Sequence, residues 1–221
     1  MKNTFKFAFA VSLFALTGAA QASSIEVQTA YSAAGSQGSA SAYQSVVEAA
    51  IASQAAHPIA GYGTADNVAS YNNISNQSLF NGSQANIAME STINFGVSAA
   101  NAGTWDIRTG VDFGKGGAIF VDGTAMAVNS SDMWWNNNYG NNGSFNIVLN
   151  LSAGNHTVSI YGLEDCCSGY QQAQFSNNTT SFTTFSTSDH LTSAVPEPES
   201  YGMMMGGLGL LGCMIRRRKS A

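Results

Sequence analysis

SFNIVLNLSAGNHTVSIYGLE, residues 144–164, holds two runs in which apolar residues take every second place. Phe145, Ile147, Leu149 and Leu151 mark the first run, and Val158 and Ile160 resume the period after Ser152-Ala153-Gly154-Asn155. Successive side chains of a strand point to opposite faces, so a period of two sets one face of each run against a core. The small polar residues between them supply the connection, and the stretch reads as two consecutive strands.

The same period recurs on both sides. NIAMESTINFGVSA (86–99) alternates, GTWDIRTGVDF (103–113) places Trp105 and Ile107 on one face, and GGAIFVDG (116–123) is a run of β-formers closed by an Asp-Gly turn. YQQAQFSNNTTSFTTFST (170–187) continues the pattern. Short alternating strands with glycine turns between them predict a mainly β fold, a single antiparallel β-sandwich or jelly roll over 86–185. The segment 23–85 differs. It opens as a short strand, and then Tyr43, Val46, Val47, Ala50 and Ile51 follow the spacing of one helical face. A short amphipathic helix is expected over 42–55, capped by Ser39 or Ser41 and stopped at His57-Pro58, since proline lacks a donor and disfavours helix before it. It is expected to pack on one end or edge of the sandwich, followed by an irregular segment to 85.

The two ends read as processing segments. Lys2 and Lys6, an apolar stretch and Ala20-Gln21-Ala22 make 1–22 a secretory signal peptide cut after Ala22. Residues 186–195 are a Ser/Thr-rich linker. Residues 201–215 are apolar and glycine-rich and span roughly 22 Å as a helix, short of a hydrocarbon core of about 30 Å. Arg216, Arg217, Arg218 and Lys219 would hold their end on the cytoplasmic side as a stop-transfer cluster. With both ends set aside, the body keeps Arg108 and Lys115 against eleven carboxylates, a net charge of −9. Such a surface repels nucleic acid, and no basic patch is present to release counterions, so no nucleic-acid partner is expected.

Three constellations carry candidate chemistry. Asp112 and Asp122 bracket a glycine-rich loop and strand, where carboxylates and carbonyls can take a hard cation such as calcium or simply form turns. Trp134, Trp135 and Tyr139 stand among Asn136, Asn137, Asn138, Asn141 and Asn142, the makings of a sugar-stacking platform. Adjacent strand residues face opposite ways, so only one of the two indoles can join that platform while the other fills the core. Cys166 and Cys167 are the body's only cysteines. A vicinal disulfide is the favoured state in an exported protein, with free or intermolecularly bridged thiols, or a metal held with Glu164, Asp165 or His156, as the alternatives. The four well-spaced soft ligands of a structural metal are missing, and no metal is assigned. His57, His156 and His190 are dispersed, no nucleophile motif occurs, and Glu164 and Asp165 diverge on a strand, so no catalytic residue is named and no enzyme is expected.

Residues 86–175, with Cys166-Cys167-Ser168-Gly169, resemble the exported bacterial CCXG family carrying a PEP-CTERM sorting signal. Val195-Pro196-Glu197-Pro198, the apolar run and the basic tip are similar to that signal over 196–221. The resemblance implies an exosortase-type membrane protease or transpeptidase as partner and cleavage near Pro196-Glu197-Pro198. It also implies transient insertion in the inner membrane and a final place at the surface of a Gram-negative-type bacterium, often beside exopolysaccharide or biofilm. The layout is more loosely similar to PA14-like and fibro-slime β-sandwiches, in which a strand ending in Asp-Gly precedes an LxAGxHxxxxxGxE hairpin. Sugar-binding members of that group use an adjacent Asp-Asp pair for calcium, and this chain has single aspartates there. Two roles are expected to compete: a non-catalytic surface or matrix protein without cofactor, and an adhesin-type module that binds carbohydrate or calcium.

Overall fold

The computed structural model describes residues 23–177 and 181–191. The signal peptide and the sorting segment of the sequence reading lie outside these residues. In chain order the elements are β1 (Ser24–Tyr31), α1 (Ala40–Ala56), β2 (Thr64–Ala65), β3 (Asn72–Ile74), α2 (Asn76–Phe80), β4 (Ile87–Val97), β5 (Gly103–Gly110) and β6 (Asp112–Phe113). They continue with β7 (Gly117–Val121), β8 (Thr124–Asn129), β9 (Met133–Trp134), β10 (Ser144–Leu151), β11 (Gly154–Glu164), β12 (Gln171–Asn177) and β13 (Thr183–Thr184). Two antiparallel sheets face each other. One runs β2-β1-β4-β11-β7-β8, the other β10-β5-β12-β13 with β3 on β12, and β6 and β9 form a separate two-stranded ribbon. Among the described residues no helix is long and apolar enough to cross a membrane.

The stretch 144–164 supplies one strand to each sheet. β10 pairs with β5, whereas β11 pairs with β4 and β7, so the connection between the two expected strands is a crossing between layers. Alternation marks which side chains point inward and is silent on which neighbour completes the hydrogen bonds. Here the inward faces of the two runs meet across the core: Phe145 and Ile147 from one sheet, Val158 and Ile160 from the other. At its centre Phe95, Trp105, Phe175 and Phe185 form a closed cycle of ring contacts, with centroids 5.5, 5.4, 4.8 and 5.3 Å apart in turn. The Trp105 indole N–H donates to the Asn101 carbonyl at 2.9 Å, so the largest core side chain leaves no polar atom unpaired.

α1 begins where Ser39 accepts the Ala42 amide and ends at His57, close to the expected bounds. Its place differs from the expectation. Tyr43 and Val47 lie on Ala88, Ala118, Phe120, Tyr161 and Leu163, across the outer face of the six-stranded sheet and not at an end. The strands beneath explain this: all five residues of β7 are buried, and a strand buried on both faces needs a cover on each. Tyr43 completes the dock by donating to the Lys115 carbonyl at 2.6 Å.

Both flanks of the expected sandwich are also more ordered than their composition suggests. β1 pairs with β4 over eight residues, and Ile25 and Val27 enter the main core, so 23–85 contributes a full strand. Residues 186–191 are packed against the body, with Leu191 buried and the Asp189 carboxylate receiving the Ser186 and Leu191 amides. A Ser/Thr-rich stretch reads as linker because its own side chains carry little apolar area. Its part 186–191 is held here by Phe185 before it and Leu191 at its end, and 192–195 lie outside the described residues.

Phe185→Ala should destabilise the fold by about 4 kcal/mol, the cost of emptying a ring-sized site in a packed core. Urea unfolding of variant and wild type checks this, and a loss below about 1 kcal/mol would contradict the role given to this residue.

Candidate functional site

The β6–β9 ribbon sets the site. Its two-residue ladder pairs Asp112 with Trp134 and Phe113 with Met133. Alternation sends Phe113 and Met133 into the core and turns Asp112 and Trp134 outward. Trp134 is 58% exposed and its neighbour Trp135 only 4%, so one indole is presented and one is buried.

Trp135 anchors the loop that carries Trp134. Its ring lies on Gly110, where a Cβ would drive into the indole, and stacks on Tyr139 at 5.3 Å and 23°. Tyr139 in turn lies over the Arg108 guanidinium at 4.1 Å, and Phe182 covers the other side at 3.5 Å. Arg108 is held by Gln174, whose Oε1 accepts from Nε and Nη2 at 2.8 and 2.6 Å. The Tyr139 hydroxyl donates to Gln172 at 2.8 Å, and the Asn141 amide donates to the Trp135 carbonyl at 3.0 Å. Tyr139 therefore stands with Trp135 on the outer face of the five-stranded sheet, apart from Trp134. Asn136 and Asn137 then turn the chain through left-handed φ values of 47° and 56°, a conformation that asparagine tolerates better than most residues.

The opposite wall follows β11. Cys166 and Cys167 are joined by a disulfide, with a cis peptide between them and Cα atoms 3.0 Å apart, and both are exposed. The Ser168 amide donates to the Gln84 carbonyl at 2.8 Å, and the Gly169 amide donates to Asp112 Oδ2 at 2.6 Å. The loop is thereby tied to the ribbon, and Tyr170 is left 62% exposed. Asp112, Trp134, Asn136, Asn137, Gly169 and Tyr170 line a shallow cavity of about 160 Å³. Tyr170 is not among the candidate residues of the sequence. Its one signal is that it stands just before β12 in phase with that strand's alternation, on the outward side with Gln172 and Gln174.

Behind the cavity lies a carboxylate cluster. Glu164 is buried, with Oε2 accepting from the Gly114 amide at 2.6 Å and Oε1 without a hydrogen-bond partner among the described residues. Burial pushes its pKa up to about 7, and the charges of Asp112 and Asp165 add to the rise against the pull of the Gly114 and Cys166 amides. Burial also raises Asp112, and the Asp132 charge adds to this. Asp165 is paired with Lys115 at 2.6 Å, which holds it below the usual carboxylate range. A Cβ at Gly114 would sit 2.9 Å from Glu164 Oε1 and closer still to Asp165, so a larger residue there would displace these carboxylates.

Asp122 is not part of this site. It forms the β7–β8 turn at the far end of β7, whose length of roughly 17 Å lies between that turn and the loop that follows Asp112. Its Oδ2 lies 2.7 Å from His156 Nδ1, and its Oδ1 accepts from the Thr157 amide at 2.8 Å. Asp112 is committed to Gly169, and among the described residues no three His, Cys, Asp or Glu side chains converge as metal ligands. The two aspartates do not fit a shared calcium centre.

Residues 194–219 match the PEP-CTERM protein-sorting motif. The match encloses Val195, Pro196, Glu197 and Pro198 and the cluster Arg216, Arg217, Arg218 and Lys219, all outside the described residues. No curated protein sequence matches the chain. Among solved structures, a PA14 sugar-binding domain from an RTX adhesin is 16% identical with TM-score 0.46, over 80% of this chain and all of that one. The PA14 domain of the MpAFP antifreeze protein is 11% identical with TM-score 0.47, over 77% and 89%. An epithelial adhesin 9 A domain from Candida glabrata, in complex with Galb1-4GlcNAc, is 12% identical with TM-score 0.46, over 80% and 92%. Likeness at this level is one of strand layout and says nothing about a ligand here.

Because the folded pKa of Glu164 lies above its ordinary 4.5, the native state binds the extra proton and gains stability as pH falls from above 7 toward 4.5. Glu164→Gln removes this component. The stability of the variant relative to wild type should therefore be greater at pH 8 than at pH 5, measured by urea unfolding at both; a difference independent of pH would contradict the assignment.

Proposed function

We propose that the protein is an exported, non-catalytic surface or matrix component that is sorted through its tail and binds a neutral sugar at the Asp112–Trp134–Tyr170 cavity. The carrying observation is the exposed Trp134 ring at a polar cavity that Tyr170, Asp112, Asn136 and Asn137 also line. Exposed aromatic faces stack on the apolar face of a pyranose, while amides and a carboxylate take its hydroxyls. The cavity is small against the usual range for enclosed ligands of about 300–1,000 Å³, which favours one ring of a glycan over an engulfed molecule. The charge of −9 on the body and the carboxylate at the cavity favour a neutral sugar over a uronate.

The sorting motif supports handling by an exosortase at the membrane, followed by cleavage near Pro196-Glu197-Pro198 and release or transfer to the surface. In this reading the body is the cargo and exopolysaccharide is the polymer it meets. The vicinal disulfide stiffens the wall that ends in Tyr170, and no cofactor takes part.

The test is a glycan array with the mature protein, in the presence and absence of a calcium chelator, followed by titration of the best-retained glycan. Trp134→Ala should weaken that binding at least tenfold, about 1.4 kcal/mol, without lowering Tm, because the ring makes no core contact. Chelation should leave it unchanged. Retention of no glycan, or equal binding by the variant, would sink the sugar reading. Mass spectrometry of the surface protein checks the sorting reading, and a retained 201–215 peptide would count against it.

A further inference from the structure

Asp189 is a carboxylate that the fold buries among neutral donors. It is 6% exposed. Oδ2 accepts from the Ser23 hydroxyl at 2.6 Å and the Ser186 amide at 3.1 Å. Oδ1 accepts from the Leu191 amide at 3.1 Å and the Ser23 main-chain nitrogen at 3.4 Å. A charge removed from water calls for a counter-charge, and this body has little to offer. Of its two cationic side chains, Lys115 is paired with Asp165, and Arg108 lies between Tyr139 and Phe182. Neither makes an ion pair with Asp189 among the described residues. His190, the next residue, is exposed and makes no ion pair with Asp189 among the described residues, so the buried group beside Asp189 able to become a cation is the nitrogen of Ser23, a residue that is itself 2% exposed. Inside a chain it is an amide with a single donor. At a chain start it is an ammonium with three donors and a full positive charge below a pKa of about 7.7–8.0.

Ser23 is also the residue that follows the small-x-small sequence Ala20-Gln21-Ala22. The cleavage point comes from residues 20–22, and the need for a cation comes from the far end of the body. The two meet on one atom. We propose that signal-peptide removal after Ala22 creates the missing counter-ion, so that the new α-ammonium of Ser23 pairs with Asp189 and locks residues 186–191 against the start of β1. The step is hydrolysis of the Ala22–Ser23 peptide bond by a signal peptidase: water is consumed, Ala22 leaves with the carboxylate, and Ser23 keeps the amine. A cut one residue away would move the ammonium by up to about 3.5 Å, out of ion-pair distance of Asp189.

The clamp has a consequence at the other end of the chain. Leu191, whose amide also binds Asp189, stands three residues before the sorting motif begins at residue 194. Processing of the N-terminus thus closes the base from which the sorting tail departs. A chain that still carries its signal peptide has the hydrogen bonds of this corner without its ion pair.

The test compares the full chain beginning at Ser23 with the same chain retaining Gln21-Ala22. The Ser23 form should melt about 5 °C higher at pH 6. Pairing raises the amine's pKa above its unfolded value, so the gain is complete below about 7.7 and disappears as pH rises through the folded value. Asp189→Asn should abolish the difference between the two forms. If that variant does not fold, hydrogen exchange of 186–191 in the two unsubstituted forms decides, with faster exchange in the extended form expected. Equal melting at pH 6, equal exchange, or N-terminal sequencing of the exported protein that finds a start other than Ser23 would each overturn the proposal.

Discussion

The pairing of β4 with β11 is the constraint on which the rest of the molecule depends. Eleven consecutive pairs run from Val97 with Gly154 to Ile87 with Glu164. Near their Glu164 end the two strands are covered on both sides, by the second sheet and by α1. The interior positions Ile93, Phe95, Val158 and Ile160 thereby set the register, since a slip by one residue would turn each of them outward. β1 and β2 extend the sheet on one side and β7 and β8 on the other, so every element of the larger sheet inherits that register.

The ends of this pair deliver chemistry to two corners. At the β11 C-terminus Glu164 meets the Gly114 loop, and the next five residues carry the disulfide and Gly169 to Asp112. Buried carboxylates are tolerated there because each accepts a main-chain amide and Lys115 screens the cluster. At the other end His156 takes the Asp122 turn and the Ser152 carbonyl, at 2.7 and 2.9 Å, and closes the crossing between the sheets. The presented Trp134 depends on the same economy of charge. Its loop is held from outside by Arg108, one of two cations in the body, through two rings and not through an ion pair.

Much of the fold is legible in the chain because burial leaves a periodic trace. Trp105 and Ile107 face one core as their spacing predicts, α1 is capped at Ser39, and of the adjacent Trp134 and Trp135 one is exposed and one buried, although the buried one packs on the outer face of a sheet and not in the core between the sheets. The sorting motif is legible for a different reason: it is recognised as a linear segment, so its information has to lie in order and composition. The candidate site was legible in part. Asp112 and Trp134 are conspicuous residue types beside glycine and asparagine, whereas Tyr170 reads as one more outward residue of an alternating strand, and Asp122 looks equivalent to Asp112 until the strand between them is placed.

What the sequence determined by itself is therefore the class of fold, the presence of the helix, the sorting motif and the partition of apolar residues between inside and outside, all of which follow from local periodicity or from a linear motif. What only the tertiary structure decided is pairing at a distance. β10 and β11 part into different sheets, α1 covers a face, Asp112 meets Gly169 and Asp189 meets Ser23. Each of these joins residues whose separation along the chain says nothing about their distance in space, because a hydrogen-bonding edge or a buried carboxylate specifies the kind of partner it needs and not where in the chain that partner lies.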